Sequence, residues 1–125
     1  MPRNFFDPAV EKAPPRRIEQ IQLKRARWTL RLARRSPLYR RKLPRQIRLR
    51  SLDDLVKFPL TTKEELGASY PFGAVATRLD RIAYFCATSG TTGKPTAVHF
   101  TARDLERIAP AQARGFYAAG IRRGG

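Results

Sequence analysis

From Pro15 to about Arg35, apolar residues return every three or four positions. Ile18, Ile21, Trp28 and Leu32 mark one side of an apolar surface. Leu23, Ala26, Leu30 and Ala33 mark the other, and Gln20, Lys24, Arg27, Arg31 and Arg34 fill the remaining face. That spacing predicts an amphipathic helix. Pro14-Pro15 opens it, because proline suits a first turn whose N–H groups have no partner within the helix. Residues 1–13 read as an extended arm. "SPLYRRKLP" (36–44) is a break followed by a short turn of helix. Ser51-Leu52-Asp53-Asp54 and Thr62-Lys63-Glu64-Glu65 are S-x-x-D and T-x-x-E starts of two further helices, with Pro59 between them. In each, a hydroxyl and an acid satisfy orphan N–H groups at the positive helix end. "YPFG" (70–73) reads as a turn whose two aromatics plug a core.

From Arg81 the pattern changes. Ile82-Ala83-Tyr84-Phe85-Cys86 is a continuous apolar run of strand length, which suits a strand buried on both faces. "TAVHF" (96–100) reads as a second strand. Thr101 caps a helix with Asp104 three residues on. Leu105, Ile108, Ala109, Phe116 and Tyr117 give its apolar side, and Gly120 ends it. Pro110 is expected to kink or split that helix. The pattern therefore predicts an α/β fold class: a mainly helical region over 1–80, then the first strands and a helix of an α/β core over 81–125. Two strands cannot make a covered α/β sheet, and their outer edges would offer unpaired N–H and C=O groups. The expectation is that 81–125 begins one larger domain, continued elsewhere or lost.

Charge adds a second asymmetry. The chain has 125 residues and a formal net charge of +16, and 13 of those charges fall within residues 1–50. A basic half of this kind suits an anionic partner such as nucleic acid or acidic lipid, or simply a solvated arginine-rich surface. The excess lies on helical faces rather than in a basic tail, and only Trp28 and Tyr39 offer aromatic platforms there, which favours the solvated surface over a nucleic-acid-binding module. Cys86 is the single cysteine, so an internal disulfide is excluded. The N-terminus lacks the apolar core of a signal peptide, and no apolar run has the length of a membrane span. Together these point to a cytoplasmic protein with no membrane partner. His99 alone makes no metal site or triad and reads as structural. Cys86 reads as a buried, inert thiol, and Trp28 as a packing anchor.

The stretch that carries chemistry is "ATSGTTGKPT" (87–96), placed directly after the first strand. Gly90 and Gly93 let backbone N–H groups approach oxygens closely. Thr88, Ser89, Thr91 and Thr92 offer hydroxyl donors, and Lys94 a compact positive charge, so the loop suits a polyphosphate. It is not the P-loop of the common NTPases. Thr88 stands where that motif needs its first glycine, and Pro95 where it needs the magnesium-binding hydroxyl. A strand rather than a helix follows, so backbone and hydroxyl donors must act without a helix dipole.

"ATSGTTGKPT" resembles the signature loop of the AMP-forming adenylating enzymes. "FFDPAVEKAP", "SPLYRRKL", "RSLDDLVKFPLTTKEEL", "YPFG" and "AAGIRRGG" are similar to the N-terminal portion of phenylacetate–CoA ligases, nearly throughout the chain and in order. The resemblance implies an acid–thiol ligase that joins phenylacetate or a related aryl acid to AMP from ATP, then to coenzyme A, with Mg2+ assisting. It implies that Thr88, Ser89, Gly90, Thr91, Thr92, Gly93 and Lys94 bind ATP phosphates. It assigns no catalytic residue or metal ligand. The base, ribose, acyl and thiol sites and the adenylation lysine of such enzymes lie outside the matched region. Alone, the 125 residues are expected to be inactive. The alternatives are a basic nucleic-acid-binding module or a non-catalytic gene remnant. Oligomeric state and the acid activated stay open.

Overall fold

The computed structural model describes residues 5–88 and 95–122. In chain order the elements are α1 (Pro8–Glu11), α2 (Pro15–Ala33), α3 (Pro37–Lys42), a 3-10 helix (Leu52–Lys57), α4 (Lys63–Ala68), a 3-10 turn (Leu79–Arg81), β1 (Ile82–Ala87), β2 (Ala97–Thr101) and α5 (Ala102–Ala118). This is the expected α/β arrangement, helical first and then a strand pair with a helix.

The N-terminal arm is not wholly extended. Glu11 accepts hydrogen bonds from the Phe6 and Asp7 N–H groups, at 3.2 and 3.0 Å, and this closes the single turn α1. Arg114 of α5 donates to the same carboxylate at 3.0 Å and lies 3.6 Å from Asp7. Phe6 meets the Tyr117 ring, with centroids 5.9 Å apart. The arm is thus tied to the last helix, a contact across the whole chain that local pattern cannot reveal.

α2 begins at Pro15 as predicted. Its basic face is partly structural. Arg27 donates to the carbonyls of Leu49 (2.7 Å) and Arg50 (3.3 Å), and Arg34 donates to that of Arg45. These guanidinium groups satisfy carbonyls of the irregular segment 45–50 and hold it along the helix. The same segment brings in Leu49, which with Leu38 and Leu43 makes up the buried apolar residues among those described. Ser36, fully buried, donates to the Ala33 carbonyl and accepts from the Tyr39 N–H, capping α3.

The S-x-x-D segment forms a 3-10 rather than an α-helix. Asp54 still reaches back, accepting from the N–H groups of Arg50 (2.7 Å) and Ser51 (3.3 Å). The Lys57 ammonium donates to the same carboxylate and, with those two N–H bonds, holds its pKa down at about 2, from an ordinary value of 3.8. A depressed carboxylate stabilises the fold above pH 4, and that contribution disappears as the pH falls toward 2. Carbon-detected NMR titration of Asp54 is expected to give a midpoint near 2. A midpoint at the ordinary aspartate value would show that the cap does not form in solution.

At the second start, Glu65 and Thr62 exchange N–H bonds at 2.8 and 3.3 Å, the reciprocal capping box. Lys42 of α3 donates to both Glu65 oxygens at 2.5 Å and to the Leu60 carbonyl at 2.6 Å, which docks α4 on α3. In the "YPFG" turn, the aromatics do not plug a core. Tyr70 and Phe72 stay about half exposed. What docks the turn is backbone: the Leu38 N–H donates to the Gly73 carbonyl at 2.8 Å. A Cβ at Gly73 would stand 2.6 Å from the Ser69 carbonyl oxygen and 2.7 Å from its Cβ. Gly73→Ala is therefore expected to lower stability by about 1–3 kcal/mol through overpacking, read from the urea midpoint. An unchanged midpoint would show that the turn can move away from α4 at no cost.

β1 and β2 pair antiparallel, Tyr84 opposite Phe100, Phe85 opposite His99 and Cys86 opposite Val98, with an irregularity between Ile82 and Tyr84. The expectation that β1 is buried on both faces does not hold within the described residues. Tyr84 is 53% and Phe85 47% exposed, because α5 and Phe72 cover only part of a two-stranded sheet. Cys86 is half-buried. α5 is continuous through Pro110. Proline there removes the N–H that would reach the Glu106 carbonyl and crowds that carbonyl with its ring, and because Glu106 is exposed the carbonyl can turn to water. The helix ends with Gly120 at φ 95°. The Gly120 and Ile121 N–H groups donate to the Tyr117 and Phe116 carbonyls, a Schellman ending.

Candidate functional site

The hairpin positions the candidate loop. Ala87 faces Ala97 at the end of the ladder, and one residue further the Thr88 N–H donates to the Thr96 carbonyl at 3.0 Å. The Thr96 N–H returns a bond to the Thr88 hydroxyl oxygen at 3.3 Å. The two threonines close the neck of the 87–96 segment. The neck uses the Thr88 hydroxyl oxygen but only the backbone of Thr96, whose own hydroxyl takes no part in it. Thr96 has this role although sequence reasoning left it out of the binding set; the signal was its place opposite Thr88 across the loop.

Of the predicted phosphate-binding residues, Thr88 is placed at this neck, exposed. Its oxygen accepts from Thr96, which leaves its hydroxyl hydrogen free to donate. Ser89, Gly90, Thr91, Thr92, Gly93 and Lys94 lie outside the described residues.

The first turn of α5 does not compete with the loop for an anion. The N-terminus of α5 lies at the far end of β2, four residues or about 13 Å from Ala97. It is already occupied by an acid: Asp104 accepts from the Thr101 N–H (2.9 Å) and hydroxyl (2.7 Å). The Thr101 hydroxyl lowers the Asp104 pKa. Glu65 is likewise lowered, mainly by the Lys42 ammonium, and Glu64 mainly by its own backbone N–H. These perturbed carboxylates are caps and ties of helices, away from the loop, and none is poised as an acid or base.

An open groove of about 760 Å³ runs between α2, residues 74–77, β2 and α5. Its lining takes in Ile82 of β1 and Val98, His99 and Thr101 of β2, and none of the described loop-neck residues Ala87, Thr88 and Thr96. Trp28 borders it, with the Arg107 guanidinium 5.5 Å from the ring centroid. His99 stacks between Phe72 and Phe85, with centroids 5.4 and 5.1 Å away. Among the described residues no group of His, Cys, Asp or Glu could hold a metal ion. No helix among them is long and apolar enough to cross a membrane.

No family model matches the chain. A solved structure of 2-hydroxyisobutyryl-CoA ligase, in complex with 2-HIB-AMP and CoA in the thioesterification state, superposes with a TM-score of 0.81 at 32% identity. The superposition takes in 99% of this chain and 29% of that one. The architecture is therefore that of part of an adenylating acyl-CoA ligase. Within that class the chain is similar to phenylacetate-coenzyme A ligases. The enzyme of Escherichia coli is 40% identical over 120 residues, 92% of this chain and 27% of the relative. That of Pseudomonas putida is 40% identical over 127 residues (98% and 29%), and that of Thermus thermophilus 38% over 127 residues (96% and 28%). The chain thus spans 27–29% of the length of these curated relatives.

Proposed function

We infer that the chain is the phosphate-gripping segment of an AMP-forming aryl-acid–CoA ligase. The observation that carries this reading is the hairpin closed by Thr88 and Thr96 around the S-G-T-T-G-K sequence, in a chain similar to phenylacetate-coenzyme A ligases over nearly its full length. In the reaction, the acid's carboxylate oxygen bonds to the α-phosphorus of ATP and the bond to pyrophosphate breaks. The thiol sulfur of CoA then bonds to the acyl carbon, and AMP leaves with the electron pair. The part assigned to this chain is electrostatic. The Thr88, Ser89, Thr91 and Thr92 hydroxyls, the N–H groups around Gly90 and Gly93 and the Lys94 ammonium hold the β- and γ-phosphates and steady the charge of the departing pyrophosphate. Mg2+ would help neutralise that charge when bound, and no residue described here is assigned to it. The acid is phenylacetate or a related aryl acid.

The test is direct. ³¹P NMR of tripolyphosphate titrated with the chain is expected to show saturable broadening, reduced about tenfold in affinity or more by Lys94→Ala. Equal broadening with Lys94→Ala would mean that the arginine-rich surface, not the loop, takes the anion, and the reading would fail. Turnover of ATP and phenylacetate by the 125 residues alone is expected to be absent, since no adenylation lysine or thiol site is assigned to them.

A further inference from the structure

Between Glu19 and Asp53 the chain carries twelve lysines and arginines and no acid. Four of these cations meet in one place. A pocket of about 250 Å³ lies between α2 and the irregular segment 45–50, lined by Arg27, Arg31, Ile47, Arg48, Leu49 and Arg50. Its two walls are tied together within this chain. Arg27 donates through Nε to the Leu49 carbonyl and through one Nη to that of Arg50, and Arg31 donates through Nε to the Arg27 carbonyl at 3.2 Å. These bonds steady the two guanidinium groups and leave most of their N–H donors unspent. Arg48 donates to the Gln46 side-chain oxygen at 3.2 Å. Among the described residues the ion pairs engage Lys42, Lys57, Arg78 and Arg114, and none of the four pocket arginines. Asp54 accepts from the Arg50 backbone N–H, but its ion pair is with Lys57.

We propose that this pocket binds a phosphate group, as free orthophosphate or as the phosphomonoester end of a small metabolite. Like charges that converge on one concavity repel one another unless an anion sits among them. Guanidinium groups suit that anion, because each planar fork can donate to two phosphate oxygens at once. Ile47 is half-buried and Leu49 buried, so one side of the pocket is apolar, and charges attract more strongly beside it than in open water. The volume falls just below the ~300–1,000 Å³ of ordinary ligand sites, which fits one phosphate and a short ester better than a whole coenzyme. No aromatic side chain lines the pocket for a base to stack on, which disfavours a polynucleotide. The pocket shares no residue with the loop 88–94, so the proposal stands apart from the reading of that loop.

The test titrates the chain with orthophosphate and with butyl phosphate, read by ³¹P NMR. Saturable binding is expected, weakened about tenfold by Arg48→Ala and by Arg31→Ala, each of which removes charged hydrogen bonds. Arg25→Ala removes the same charge from an exposed position of α2 outside the pocket and should change little. Tighter binding of butyl phosphate would identify an ester as the ligand, and tighter binding of orthophosphate the free ion. A second measurement needs no substitution. Phenylglyoxal modification, located by mass spectrometry, should slow about fivefold or more at Arg31, Arg48 and Arg50 under saturating orthophosphate, and not at Arg25. The same protection is expected in a folded fusion in which this chain replaces the matching 27% of the E. coli ligase. Equal loss with Arg25→Ala, or equal protection of Arg25, would show a diffuse basic surface and overturn the proposal. Protection absent from the folded fusion overturns it too, since other polypeptide would then occupy the arginines. Orthophosphate binding should survive Lys94→Ala; its abolition would place the ion in the loop and end the proposal. Tripolyphosphate binding that does not depend on Lys94 sinks the loop reading and leaves this pocket standing.

Discussion

Leu49→Ala is expected to destabilise the helical region by about 2–5 kcal/mol, enough to unfold much of it at room temperature. Leu49 is 4% exposed, and Leu38 and Leu43 are the other buried apolar side chains among the described residues. A larger domain spreads the loss of one leucine over many neighbours. Here it removes one of the three buried apolar side chains described. The Arg27 bond to the Leu49 carbonyl survives the substitution, because it involves backbone, so the effect isolates packing. Val56→Ala is the control. Val56 is 87% exposed, and its truncation should change stability by no more than about 0.5 kcal/mol. Urea unfolding followed by circular dichroism and by Trp28 fluorescence distinguishes the two. Equal midpoints for Leu49→Ala and Val56→Ala would show that burial of Leu49 does not hold the fold.

The same contrast explains which parts of the structure could be read from residues. Helix starts were legible because capping is local: Ser36, Thr62 and Thr101 each accept the N–H three residues on. The strand pair was legible because the apolar run at 82–86 and "TAVHF" flank a glycine-rich stretch of hairpin length. Burial was not legible. A continuous apolar run signals a strand meant for cover on both sides, but what covers it is set by other polypeptide, and the sheet described has two strands. The tie between Arg114 and the α1 carboxylates was equally hidden, since it joins residues about a hundred positions apart. The basic face of α2 could be located but not interpreted. Only the three-dimensional path of 45–50 shows that Arg27 and Arg34 spend donors on carbonyls. At the candidate site, the phosphate reading rests on the sequence alone, and the fold adds the Thr88–Thr96 neck.

The largest functional effect is expected from Lys94→Ala in a complete ligase. The suitable enzyme is the fusion in which this chain replaces the matching 27% of the E. coli relative. If the loop steadies departing pyrophosphate, the Lys94 charge matters most where negative charge develops, in the transition state. Its removal should lower kcat for adenylate formation about 100- to 1000-fold while changing the apparent affinity for ATP far less. Lys94→Arg should recover only part of the rate, because a planar guanidinium does not reproduce a compact ammonium at a single phosphate oxygen. Thr88→Val removes both the oxygen that accepts the Thr96 N–H and one hydroxyl assigned to the phosphates, but it keeps the backbone bond between the two residues and the Lys94 charge, so it should cost less, about tenfold. The thioester step, started from preformed acyl-adenylate, releases no pyrophosphate and should be insensitive to all three substitutions. A Lys94→Ala fusion that loses the two half-reactions equally would place the lysine's contribution in the fold of the hairpin rather than in catalysis. A fusion that keeps full adenylation without Lys94 would remove the loop from the mechanism.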